Sequence, residues 1–169
     1  MALNGKYVTA PVANTMYAVH KTLKDVLEPQ VNTSFDFTDE TLKRIQNSQY
    51  INKYYNDVQI LYNQSGGARM GYSIFGIDGV APTLTASTSR HYERYKVGDR
   101  FRRLTNTEYA RIQGFPDNHC SVLSPYNQYK LYGNAVPPQI VSFVFRRVLL
   151  NNYRVIEGAS ISLLDYMEV

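Results

Sequence analysis

Residues Arg103 to Asp117 read RLTNTEYARIQGFPD, and a helix start and a helix stop lie inside that stretch. Thr105-Asn106-Thr107-Glu108 has the form of a capping box, in which the Thr hydroxyl and the Glu carboxylate each take an exposed backbone N–H. A short helix to about Gln113 follows. Gly114 and Pro116 end it, because Gly enters the left-handed region without a Cβ clash and Pro cannot extend the hydrogen-bond ladder. A second stretch, Gln128 to Pro138, reads QYKLYGNAVPP and predicts a turn at Gly133-Asn134-Ala135-Val136. The turn opens an amphipathic helix of about Pro138 to Asn151. Pro is tolerated in its first turn, and Ile140, Val144 and Val148 with Val141, Phe145 and Leu149 recur every four residues.

Composition sets the bounds around these two segments. The chain has 169 residues, which suits one domain or one domain with an extension. At 44% hydrophobic and 19% charged it carries enough apolar material for a core. One Cys excludes an intrachain disulfide framework, and no apolar run reaches the roughly 18 residues of a spanning helix. The opening MALNGKYVTA lacks the pattern of a signal peptide, so a cytoplasmic location is expected. His20, His91 and His119 are not spaced as zinc ligands, and no metal is expected.

The charge is localised. Between Arg90 and Arg111 seven cations face three anions, so this one segment accounts for the net charge of +4. Tyr92, Tyr95 and Phe101 interleave with it, a texture suited to phosphate contact. Elsewhere the first residues look loosely organised, and Thr22 to Leu27 suits one or two helical turns stopped by Pro29. Thr38 caps a helix of about Asp39 to Gln49. Strands are expected at Val58 to Tyr62, Tyr72 to Phe75 and Val80 to Leu84, separated by the turn signals Gly66-Gly67 and Asp78-Gly79.

The two quoted segments together resemble the last two motifs, IX and X, of the bacterial C5-cytosine DNA methyltransferases. Before them, GGARMGYSIFGIDGVAPTLTASTSRHY, Gly66 to Tyr92, is similar to the end of that family's target-recognition region. The resemblance is firm over the two motifs and looser before Gly66. It implies an α+β fold: a small β-rich target-recognition domain with short helices, plus a C-terminal amphipathic helix that belongs with a Rossmann-like catalytic domain. The expected organisation is a loosely ordered segment over 1–20, the recognition domain with motif IX over 21–127, and the motif X turn, helix and acidic tail over 128–169.

The resemblance also assigns roles. Arg103, Thr105, Glu108, Arg111, Gly114, Pro116 and Gly133 are structural motif residues; Arg103 and Arg111 could hold phosphates or internal carboxylates, with the structural role ahead. Asn134 and Ala135 match the family positions that line the S-adenosylmethionine pocket, although Asn134 could also simply cap the following helix. Duplex reading falls to Thr83, Thr85, Ser87, Thr88, Ser89, Arg90, Tyr92 and Arg94, with Arg90 the first candidate for a base contact because a guanidinium fork matches guanine O6 and N7.

The family reaction needs a Cys thiolate next to Pro that attacks C6 of a flipped cytosine. Cys120 follows His119, and none of the seven Pro residues precedes a Cys. No Glu-Asn-Val and no Phe-x-Gly-x-Gly is present either. No catalytic residue is therefore assigned, Cys120 is read as structural, and the chain alone is expected to be inactive. The partners implied are double-stranded DNA and a catalytic subunit or domain that shares the cofactor. A naturally split enzyme of a restriction-modification type and an excised piece of a single chain both fit; the initiating Met and the lack of upstream motif remnants favour the split. The apolar face of the last helix implies either heterodimerisation or self-association. The rivals are a non-catalytic DNA-binding regulator and, less favoured, a fragment of an RNA cytosine methyltransferase.

Overall fold

The computed structural model describes residues 2–3, 6–7, 22–46, 48–63, 73–86 and 93–146. Chain contacts divide the protein into two units, Val19–Ala135 and Met1–Ala18 with Val136–Val169. The second unit holds two paired two-residue strands, β1 (Ala2–Leu3) and β2 (Lys6–Tyr7), and a helix over 138–146.

The larger unit is a mixed α/β fold built on five strands in the order β3-β4-β5-β6-β7: β3 (Gln49–Tyr55), β4 (Val58–Asn63), β5 (Ser73–Phe75), β6 (Arg94–Val97) and β7 (Arg100–Arg102). Asn56 and Asp57 join β3 to β4 in a two-residue turn with both φ values positive, at 46° and 63°. Asn and Asp tolerate that region best among residues with a Cβ, and the turn matches the strand twist. Gly98, at φ +58°, and Asp99 form the two-residue turn between β6 and β7. The step from β5 to β6 is parallel and the other pairings are antiparallel. A parallel pair cannot be closed by a hairpin, so the chain needs a long connection there, and Thr83 to Tyr92 falls inside it.

Among the described residues three helices complete this unit: α1 (Asp39–Gln46), α2 (Asn106–Ile112) and α3 (Pro125–Asn134), with single 3-10 turns at Leu23–Val26 and Thr33–Phe35. Leu23, Phe75, Leu84, Tyr95, Leu104, Tyr109, Ala110 and Tyr132 form the core between sheet and helices. The 3-10 turn at Leu23 is fastened to the long connection by its N–H groups, Leu23 to the Gly79 carbonyl at 2.7 Å and Lys24 to that of Ile77 at 2.9 Å. Among the described residues no helix is long and apolar enough to cross a membrane.

Several local expectations are corrected. Helix α1 stops at Gln46 rather than Gln49, and the Tyr-rich run after it becomes β3, where aromatic and β-branched residues suit a pleated surface. Val80 to Leu84 joins no ladder; Pro82 has no N–H to give one. Gly133 and Asn134 are the last two residues of α3 rather than a turn. That helix starts at Ser124, whose hydroxyl accepts the Asn127 N–H, with Pro125 in the first position. The α2 exit has the expected form. Gly114 has φ +76°, and Phe115 N–H to Ala110 O (2.8 Å) with Gly114 N–H to Arg111 O (3.0 Å) makes a Schellman closure.

Candidate nucleic-acid interface

The start of α2 is organised by one buried carboxylate. Glu108 has no solvent exposure, and its two oxygens take Arg102 Nη2 at 2.7 Å and Nη1 at 2.8 Å. The same oxygens accept the Thr105 N–H at 2.8 Å and the Glu28 N–H at 2.9 Å. In return the Thr105 hydroxyl accepts the Glu108 N–H at 3.1 Å and donates to the Glu28 carboxylate. The capping box thus forms and is also the seat of an ion pair. A buried carboxylate survives only with its lone pairs filled in this way. The sequence signal was available in the Arg that stands six residues before the box's Glu.

Several cations of the basic segment have partners within the fold. Arg102 is 2% exposed, and Arg100 pairs with Asp36 at 2.7 Å while donating to the carbonyls of Val31 and Asn32. Arg111 forks onto Asp117 at 2.8 and 2.6 Å and also donates to Val26 O at 3.1 Å. That hydrogen-bonded pairing raises the guanidinium pKa and lowers that of the carboxyl. Arg94, also expected at the duplex, is buried on β6, in register with Ile74. Arg103 remains exposed, over the Phe35 ring at 5.9 Å with one donor to Ser34 O. Charge counting missed this because Asp36 and Val31 lie far off in sequence.

Thr83 is exposed and Thr85 half-buried at the entry to the expected reading loop; Ser87, Thr88, Ser89, Arg90 and Tyr92 lie outside the described residues. The loop's exit is Glu93, a buried acid. One carboxyl oxygen accepts the Thr85 N–H at 3.3 Å and the other accepts the Tyr109 hydroxyl. Burial pushes the Glu93 pKa up to about 7, against the lowering effect of the Thr85 N–H. Tyr95 stands nearby with a buried hydroxyl that has no partner among the described residues, and burial together with the Glu93 and Glu108 charges raises its pKa.

A carboxyl whose pKa is higher folded than unfolded keeps its proton longer in the folded state. Stability is therefore lost as pH rises from the ordinary Glu value towards about 7, and is not regained above it. The expected cost is on the order of 2–3 kcal/mol. Urea unfolding of wild type and Glu93→Gln at pH 5.5 and 8.5 checks it: the Gln variant gains on wild type at the higher pH. Equal differences at both values would contradict it.

Helix α3 is bolted to α2. Asn106 Nδ2 meets Gln128 Oε1 at 2.6 Å, Gln113 Nε2 meets Tyr132 O at 2.7 Å, and the rings of Tyr109 and Tyr129 pack edge to face at 4.8 Å. Gly133 sits against the backbone at the loop entry, where an added Cβ would overlap the Thr85 carbonyl and the Ala86 nitrogen. The next residues, exposed Asn134 and half-buried Ala135, end the unit. Cys120 packs against the core with φ +62°. Among the described residues no group of three His, Cys, Asp or Glu could hold a metal ion.

The profile of the C-5 cytosine-specific DNA methylase family matches residues 6–149. The chain belongs to that family. It is 29% identical over 149 residues to the type II methyltransferase M.HgiCI of Herpetosiphon aurantiacus, covering 82% of this chain and 34% of that protein. The type II methyltransferase M.BanI of Aneurinibacillus aneurinilyticus gives 27% over 150 residues, with 85% and 33% covered. The chain therefore spans about a third of the length of these curated relatives. In fold it is similar to the Dnmt2 methyltransferase of S. pombe, with a TM-score of 0.52 and 17% identity over 76% of this chain and 40% of that one. The Entamoeba histolytica methyltransferase EhMeth gives a TM-score of 0.53 at 17% identity, covering 78% and 41%.

Proposed function

We propose that this chain is the target-recognition portion of a cytosine-5 DNA methyltransferase, which binds duplex DNA and completes the cofactor site of a catalytic part carried elsewhere. The observation that carries the reading is Cys120: it is the chain's one cysteine, it follows His119 rather than Pro, and it packs on the core behind motif IX. A thiolate nucleophile needs an accessible, activated position, and this one is held in the fold.

S-adenosylmethionine would supply the methyl group. Asn134 offers an exposed amide, donor and acceptor at once, and Ala135 adds only a methyl group, so both fit a pocket wall. Helix α3 would hold them in place. Residues Thr83 and Thr85, with Ser87 to Arg90 and Tyr92, would address the duplex, and exposed Arg103 is the cation best placed for phosphate.

The other unit fits the same reading. Its helix over 138–146, α4, carries exposed Ile140, Val141, Val144 and Phe145, and in an intact enzyme the catalytic part would cover that face. Sedimentation of the chain alone is expected to show self-association, which the catalytic part converts into a one-to-one complex. A strictly monomeric chain that ignores the catalytic part would contradict the reading. The alternative, a non-catalytic DNA-binding regulator, predicts duplex binding with no response to that partner.

A further inference from the structure

Inside the long connection between β5 and β6, the expected reading loop begins and ends on the same carboxyl group. Its entry residue Thr85 gives its N–H to Glu93 Oε1 at 3.3 Å, and Glu93 is itself the exit, one residue before β6. The other oxygen, Oε2, takes the Tyr109 hydroxyl, which stands on α2. Glu93 is 9% exposed and Tyr109 8%, so neither contact is in competition with bulk water. Gly133 of α3 backs the Thr85 carbonyl from the far side. Entry, exit, α2 and α3 meet at this point, and Thr85 enters it through its backbone.

A loop reads bases only if its ends are held at a fixed spacing on rigid elements. Resting on the recognition reading above, we propose that Glu93 is a positioning residue for sequence discrimination: by holding the Thr85 amide and the Tyr109 hydroxyl at once, it fixes the spacing and bearing of the two ends of the reading segment. Either protonation form can serve. A carboxylate accepts both hydrogen bonds, while the neutral acid accepts from Thr85 and donates to the Tyr109 oxygen. An amide does the same, so Gln is a faithful replacement and Ala is not. Tyr95 on β6, Tyr129 on α3 and Glu108 on α2 are the other titratable groups around this point.

The test uses the whole chain and duplexes that wild type enriches from a random pool, with the unselected pool as competitor. Glu93→Gln should keep the enriched-to-unselected affinity ratio within about threefold. Glu93→Ala should lower it about tenfold or more while leaving binding to the unselected pool unchanged, since phosphate contacts are not affected. Hydrogen exchange at the Thr85 amide should quicken by about tenfold in the Ala variant and stay slow in Gln. If Glu93→Ala does not fold, Tyr109→Phe takes its place, with the same direction expected. A preserved ratio with unchanged Thr85 exchange in Ala or Phe overturns the proposal, as does a Gln variant that behaves like Ala. Wild type that enriches no duplex at all would overturn the recognition reading, and the exchange measurement would then decide the clamp by itself.

Discussion

Glu108→Ala is expected to destabilise the Val19–Ala135 unit by about 3–5 kcal/mol, a large part of the stability of a domain this size. The loss has two sources. Arg102, 2% exposed, would keep only its contact to the Arg103 carbonyl and would be a buried cation without its counter-ion. The N–H groups of Thr105 and Glu28 would lose their acceptor as well. Replacing both partners, Arg102→Met with Glu108→Leu, should cost less than the two single changes summed, because it leaves no orphaned charge. Urea unfolding of the three variants reads both effects. A loss below about 1 kcal/mol for Glu108→Ala would mean the pair is wet and weak, as surface pairs are.

Gly133→Ala carries the second large effect, and its sign runs against helix propensity. In an ordinary helix interior Ala gains about 1 kcal/mol over Gly. Here the new Cβ meets backbone atoms of Thr85 and Ala86, which cannot rotate aside as a side-chain end can. Either α3 shifts off its bonds to Gln113 and Asn106, or the entry to the reading segment moves. A net loss of about 2 kcal/mol or more is expected, from overpacking of a fixed contact. Duplex binding should weaken further than stability alone explains. A neutral or stabilised variant would show that the segment entry is free to move.

What was legible in the sequence was what is local. The α2 cap and exit could be read because Thr105 and Glu108 satisfy each other across three residues, and Gly114 and Phe115 close onto the turn just before them. The hidden features depend on distant partners. Glu28 and Val26 meet α2 from about eighty positions away, and Asp36 claims Arg100 from sixty-four, so several cations of a run that looked like a DNA face are taken up by partners within the fold. Strand β3 was missed because its residues are exposed on both faces and show no period-two alternation. Helix α3 was missed for a related reason: Gly133 and Asn134 look like turn residues, and the need for Gly133 appears only when the backbone of Thr85 is placed against it. Motif spacing did carry the family, since the matched region includes both quoted segments.

One measurement bears most directly on the proposed division of labour: transfer of labelled methyl groups from S-adenosylmethionine to duplex DNA by this chain, by a catalytic part bearing Pro-Cys and Phe-x-Gly-x-Gly, and by the two mixed. Cytosine labelling by the mixture and by neither part alone is the expected result. Labelling by the 169-residue chain unaided would contradict it.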